Sequence, residues 1–483
     1  MSAAGGIAGS WASVAEVAGA VTAGQSALTI VDAALARIEK CNGPLNCFTS
    51  VVAERARKHA RAIDQARSKG RPLGSLAGVP FAAKNLFDVA GLPTLAGSKI
   101  NRDRKPAARD ATVIERLEAA GAVLVGTLNM GEYAYDFTGE NIHDGPSRNP
   151  HDLGRMTGGS SGGSGGAVAG GLVPLALGSD TNGSIRVPAS FCGIFGLKPT
   201  YGRLSRARTF PFVASLDHVG PLARSVRDLA LAYDVMAGHD AGDPVCAKRP
   251  AEAVMPVLDR GTAGLRIAVA GGYFQKGTFA EAQAAVVRVA SALNVRRKIE
   301  IPEVERARSA AYVITAAEGA ALHLIRLRER AKDFDPAVRD RLIAGAMVPA
   351  TLVVQAQKFR RWYRARVLEL FDTVDAILAP ATPCTAPVIG QQTFKLDGIE
   401  LPLRPNIGIY TQPISFIGLP VVAVPVPLAS LPIGVQIIAA PWREDVALRI
   451  ANALEQAGAV SAPRPTFQGG AEWKSTSRMS SKR

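Results

Sequence analysis

Gly158-Gly159-Ser160-Ser161-Gly162-Gly163-Ser164-Gly165-Gly166, followed by Gly178-Ser179-Asp180-Thr181-Asn182-Gly183-Ser184-Ile185-Arg186, is the stretch on which the reading of this chain turns. Ser160 and Ser184 lie 24 positions apart, each in a bed of small residues. Such beds bring backbone N–H groups close to a reacting carbonyl, because glycine has no Cβ and accepts unusual φ. A flexible linker is the other reading of a glycine–serine tract. It does not explain why the tract runs into Ala167-Val168-Ala169 and then an apolar segment. Nor does it explain Asp180 and Arg186, which flank Ser184 and are expected to brace its turn as an ion pair.

Upstream, Gly74 to Gly78 reads as a turn and Val79 to Ala83 as a short apolar strand that delivers Lys84 at its end. Hydrolysing an amide requires a nucleophile, a base to activate it and donors for the developing oxyanion. Histidine is the usual base, yet none of the six histidines (His59, His143, His151, His218, His239 and His323) sits in a G-x-S-x-G or other hydrolase context. His218, in Asp217-His218-Val219-Gly220-Pro221, is expected to be structural. A lysine serves as base only when neutral, so its reference pKa of ~10.4 must fall, and burial lowers it by several units. Ala82, Ala83 and Leu86 around Lys84 are consistent with such burial.

The rest of the chain alternates helical and strand patterns. The first 70 residues read as helices, with Ser26 capping a helix over 27–40. Asp110 is a candidate cap for a helix through Ala120, followed by a buried strand from Ala122 to Gly126. Later strands are expected over 265–270, 376–379, 421–426 and 434–439, with a closing amphipathic helix over 443–457. This alternation predicts an α/β fold, a large sheet covered by helices on both faces. The irregular stretch over 240–262 reads as a surface connection within one domain. The expected organisation is a single domain over 1–463, with N-terminal helices over 10–70, a core over 71–205 and a C-terminal part over 263–463.

The 483 residues carry a formal charge of +15, which raises a nucleic-acid reading. Arg464, Lys474, Arg478, Lys482 and Arg483 against Glu472 confine +4 of it to the last twenty residues, a Gly/Ser/Thr-rich segment over 464–483 that reads as a disordered basic tail. Two further basic stretches, Arg55 to Arg71 and Lys358 to Arg366, have helical spacing. In the second, Phe359, Trp362 and Tyr363 are expected to form a buried aromatic stripe behind a solvated basic face. Nucleic acid is therefore not an expected partner. No uninterrupted apolar run approaches the ~20 residues of a membrane span, so a membrane is not expected either. The five cysteines are scattered without a C-x-x-C, which predicts a reducing, cytoplasmic setting. Phosphate-loop and H-E-x-x-H zinc motifs are absent from the sequence, and no metal or cofactor is expected.

Gly158 to Pro199 resembles the signature segment of the amidase signature family, with Lys84 at the family's catalytic lysine position; the similarity extends from about residue 10 to 460. The resemblance implies that Ser184 is the nucleophile, Ser160 a bridging serine on a cis peptide, and Lys84 the general base. It further implies an oxyanion hole formed by the N–H groups of Thr181, Asn182, Gly183 and Ser184. Asn182 stands where most members carry glycine. Together with Lys84-Asn85-Leu86-Phe87-Asp88, Leu95 to Asn101 and Ala439-Ala440-Pro441-Trp442, it resembles the branch that acts on carboxylated biuret. That branch implies a small carboxylated amide or urea-type substrate, ammonia release, and a homo- or hetero-oligomer with a small helical partner similar to an amidotransferase C subunit. Gly131 and Asp136 depart from the acid and the glycine that relatives carry there.

The alternative within the family is the glutamine-hydrolysing A subunit of a tRNA-dependent amidotransferase, or a general small-amide amidase. By alignment, the acid that would hold the glutamine α-amine falls at Gly408, and glycine cannot pair with an ammonium. Arg341, in Val338-Arg339-Asp340-Arg341-Leu342, aligns with an arginine that holds the substrate carboxylate; a solvated helix arginine is its other reading. A catalytically silent scaffold is the reading from a different class, and an intact Lys84, Ser160 and Ser184 weighs against it.

Overall fold

In the computed structural model, which describes residues 11–465, eleven strands line up in one mixed sheet. In chain order they are β1 (Phe48–Val51), β2 (Pro80–Lys84), β3 (Val123–Leu128), β4 (Leu175–Asp180), β5 (Phe195–Lys198), β6 (His218–Ala223), β7 (Ile267–Ala270), β8 (Lys298–Ile299), β9 (Ala376–Pro380), β10 (Val421–Val426) and β11 (Ile433–Ala439). Across the sheet the order is β1-β3-β2-β4-β6-β5-β10-β11-β9-β7-β8. Strands β2, β3 and β4 run parallel, as do β7, β8 and β9, while the strands between them are antiparallel. Strands β2, β3, β4, β10 and β11 are buried along their whole length, which explains their continuous apolar composition.

Helices cover the sheet. Those that matter for the site are α1 (Gly162–Ala169), α2 (Arg186–Cys192), α3 (Val304–Arg330), α4 (Pro336–Ala346) and α5 (Ala350–Leu370). α3 lies in the helical stretch Val304–Asp333, which has the length of a membrane span and an 18-residue window of mean hydropathy 1.2. It buries Ile314, His323 and Leu327 and packs against α4 and α5.

The expected strands are present within two or three residues of their sequence-derived ends, and Ser26 caps a helix that runs on to Leu45. Three expectations need correction. The N-terminal region is not all helix, because Phe48–Val51 pairs with β3 and forms the edge of the sheet. Asp110 is no cap: Arg55 takes both its carboxylate oxygens at 2.9 and 2.6 Å, and the next helix starts at Thr112 without a side-chain cap. In α5 the aromatic stripe is split, with Tyr363 fully buried and Trp362 45% exposed. Of the expected basic tail, residues 466–483 lie outside the described residues.

Candidate active site

β2 and β4 are parallel neighbours with Ala83 opposite Leu177, so their C-terminal ends reach the same edge of the sheet. That edge is where open α/β sheets hold ligands. Lys84 ends β2, Ser179 and Asp180 end β4, and Ser160 and Ser161 immediately precede α1. The Gly159–Ser160 peptide bond is cis. α1 is a poor helix by propensity, being half glycine, and it forms because it fits. A Cβ on Gly163 would come within 2.6 Å of the Asn129 and Cys47 backbones, so only glycine lets α1 sit so close to the sheet.

Lys84 is fully buried, and three hydroxyls surround its Nζ: Ser160 Oγ at 2.7 Å, Ser179 Oγ at 2.9 Å and Ser161 Oγ at 3.0 Å. Burial pushes its pKa down to about 7, against the opposing pull of Asp180, Asp217 and Asp136. Ser161 Oγ already donates to the Ser179 carbonyl at 3.2 Å, so towards Lys84 it can only accept. A neutral lysine has two N–H donors and one lone pair. In that neutral form Ser161 takes one donor, which leaves one N–H and the lone pair for Ser160 and Ser179. A second buried lysine, Lys198, is also pushed down to about 7 by burial. It donates to the carbonyls of Pro199 and Leu419, and among the described residues it makes no hydrogen bond to Ser160 or Ser184.

Ser184 follows β4 in the turn that opens α2 and lines a cavity with Asn182, Thr181, Tyr135 and Arg341. Among the described residues, no acceptor takes the backbone N–H of Thr181, Asn182, Gly183 or Ser184. The turn is held by side chains instead. Thr181 Oγ1 donates to Asp217 at 2.6 Å and Thr411 Oγ1 to the Asn182 carbonyl at 2.7 Å. Gly183 has φ +145°, and a Cβ there would run into Thr411, so this position requires glycine.

Asp180 and Arg186 form the expected ion pair, at 2.9 and 3.0 Å with both side chains fully buried. Burial alone would raise the Asp180 carboxyl, but the Arg186 charge and hydrogen bonds hold it well below the carboxylate range. Arg186 also donates to Gln436 at 2.6 Å and to the Thr411 carbonyl at 3.1 Å, tying the turn to β11. Replacing Arg186 with Met leaves a buried carboxylate unpaired and is expected to cost about 3–5 kcal/mol, measured by urea unfolding. His218 donates from Nδ1 to the Asp180 carbonyl at 3.0 Å, the structural role expected of it.

Arg341, on α4, reaches this same cavity. Its guanidinium lies 3.9 Å from the centroid of the Tyr135 ring, Nε donates to the Ala337 carbonyl at 2.7 Å, and Nη2 donates to the Tyr135 carbonyl. Among the described residues it makes no ion pair, whereas neighbouring Arg404 is engaged by Asp136 at 2.5 Å and Glu140 at 3.3 Å. The cavity thus offers an anion one guanidinium that no carboxylate has taken. Gly131 and Asp136 turn out to be a matched pair: a Cβ on Gly131 would collide with the Asp136 side chain, so an acid at one position requires glycine at the other. Among the described residues, no group of three or more His, Cys, Asp or Glu side chains is placed to hold a metal ion.

A sheet edge that carries a buried lysine of lowered pKa ringed by serines, with Ser184 on the glycine turn that follows the neighbouring strand, defines a class. The chain belongs to the amidase signature family: the Amidase family model matches residues 29–448. It is accordingly a hydrolase of carbon–nitrogen bonds other than peptide bonds. It is 54% identical to AtzE, the 1-carboxybiuret hydrolase subunit of Pseudomonas sp. strain ADP, over 436 residues, covering 90% of this chain and 95% of that one. The glutamyl-tRNA(Gln) amidotransferase of Chromohalobacter salexigens has an A subunit that is 38% identical over 482 residues, covering 94% and 98%. Among solved structures, one of a vestigial protein complex that reveals the evolutionary origins of an s-triazine catabolic enzyme superposes with a TM-score of 0.93. It is 52% identical and covers 94% of this chain and 100% of that one.

Proposed function

We propose that this amidase hydrolyses a small carboxylated amide or urea-type substrate, 1-carboxybiuret or a related compound, and releases ammonia through Lys84, Ser160 and Ser184. The observation that carries the chemistry is Lys84 Nζ, buried, pushed down to about 7 and 2.7 Å from Ser160 Oγ. The proposed cycle starts with neutral Lys84. It takes the Ser160 proton as Ser160 takes that of Ser184, and Ser184 Oγ bonds to the substrate carbonyl carbon. The oxyanion accepts from the amides of residues 181 to 184, where loss of one donor typically costs ~10²–10³ in rate. Collapse breaks the C–N bond, and the nitrogen takes a proton from Ser160, which Lys84 replenishes, so ammonia leaves an acyl group on Ser184. Water then adds to that acyl carbon, losing its proton to the same relay, which returns it to Ser184 Oγ as the ester C–O bond breaks and the acid departs. The net change is amide plus water to carboxylic acid plus ammonia, which in neutral water become carboxylate and ammonium.

Two observations support a carboxylated substrate: the similarity to 1-carboxybiuret hydrolase, and Arg341 without a carboxylate partner in the cavity of Ser184. Glutamine fits less well. A Cβ on Gly408 would strike the Phe137 ring, leaving no room for an acid to pair with the α-amine. Replacing Arg341 with Gln is expected to raise KM for carboxylated substrates about 10- to 100-fold. Uncharged amides should change little, and steady-state ammonia assays on both classes check this. We further propose a single domain and a small helical partner subunit; the solved relative comes from a protein complex.

The deciding experiment is ammonia release from carboxybiuret, biuret, glutamine and simple amides. Turnover of the carboxylated urea-type compounds is expected. Preferential glutamine turnover would favour the amidotransferase reading, and inertness towards the whole panel would favour the scaffold.

A further inference from the structure

Asn182 is 6% exposed, and its side-chain amide is tied down at one end only. Nδ2 donates to Thr315 Oγ1 on α3 at 3.0 Å, while Oδ1 is buried without a partner. Buried acceptors in native structures are nearly always satisfied, so a lone one in a ligand cavity points to a donor that arrives with the ligand. Asn182 and Thr315 both line the cavity that holds Ser184 and Arg341. The position of Oδ1 is not loose, because Thr411 Oγ1 pins the Asn182 carbonyl at 2.7 Å and Thr315 pins the amide nitrogen.

We infer that Asn182 Oδ1 is a specificity-determining acceptor for an N–H on the acyl side of the scissile carbonyl. This rests on the functional reading above and deepens it. A carbonyl attacked by Ser184 presents its oxygen to the amides of residues 181 to 184 and its leaving nitrogen to the serine–lysine relay. The third substituent faces the remaining wall, two residues back along the same turn. In a urea-type substrate that substituent is N–H, and it needs an acceptor. In a carboxylic amide of the same shape it is CH2, which leaves Oδ1 buried and unpaired. Sites built to hydrogen-bond a substrate N–H reject analogues lacking it, because the buried protein group then loses its partner. Arg341 would hold a carboxylate farther out on the same acyl group. The two side chains together read "carboxylate, then N–H, then carbonyl".

Two isosteric pairs test this: allophanate against malonamate, and biuret against malonamide, each differing by N–H in place of CH2. The wild type, Asn182→Ala and Asn182→Gly are compared by kcat and KM separately. Active sites are titrated with a serine-directed fluorophosphonate and folding is checked by thermal melting. The wild type is expected to prefer the N–H member about 10- to 100-fold in kcat/KM, and both variants to bring the ratio within about threefold of unity. The ratio cancels any change in the shared backbone machinery, so a merely structural role would lower both members and leave it intact. An unchanged ratio in the variants, or a wild type without preference, overturns this inference alone. A wild type that turns over neither pair is assayed on 1-carboxybiuret: turnover there overturns this inference alone, and inertness overturns the functional reading and the inference with it.

Discussion

Ser184→Ala is expected to lower kcat by at least about 10⁴-fold while the protein melts within a few degrees of the wild type. The substitution removes one hydroxyl at a position 2% exposed and leaves the Asp180–Arg186 brace and the Thr181 and Thr411 bonds in place. Without that oxygen no acyl-enzyme can form. Rapid-quench mass spectrometry should find an acyl adduct on the Ser184 peptide of the wild type and none in the variant. Because nucleophile and relay act as a unit, the Ser160→Ala, Ser184→Ala double variant should be scarcely worse than Ser184→Ala alone. Additive losses would mean that Ser160 serves some separate purpose.

The second large effect is expected at Lys84. Lys84→Met removes the base and should cost about 10⁴-fold or more, the upper end for general-base loss. Lys84→Arg is the sharper variant. It keeps a cation of similar length but cannot release its proton in a protein. If Lys84 works as a base, Arg should be as inactive as Met. If Lys84 acts through its positive charge, Arg should recover much of the activity that Met loses. An arginine there stays protonated and cannot take up the Ser160 proton, so rescue by arginine is not expected.

Much of this site is legible in the amino-acid order alone, and the reasons are local. Lys84 ends a short apolar strand, and the glycines around Ser160 and Ser184 are crowded by backbone or neighbouring side chains, so each leaves a mark in its own segment. The Asp180–Arg186 pair is readable for the same reason, its partners being six residues apart across one turn. What escapes depends on contacts between distant segments. Ser161 and Ser179 become lysine partners only because β2 and β4 are adjacent and α1 packs over them. Arg404, which engages Asp136, comes from 268 residues along the chain and has no local signature. Asp110 carries the composition of a helix cap, yet its pairing with Arg55 overrides that preference. The mutual exclusion of side chains at Gly131 and Asp136 is visible in the sequence only as two unrelated departures.

The central claim, a neutral Lys84 drawing a proton through Ser160 from Ser184, has a pH signature of fixed sign. Burial places the Lys84 pKa at about 7. Below that value the amine is protonated and cannot accept a proton; above it the amine is free. The pre-steady-state rate of Ser184 acylation should therefore rise about tenfold per pH unit up to pH ~7 and level off above it. A rate that is flat from pH 5 to 9, or one that falls as pH rises through 7, would contradict the account.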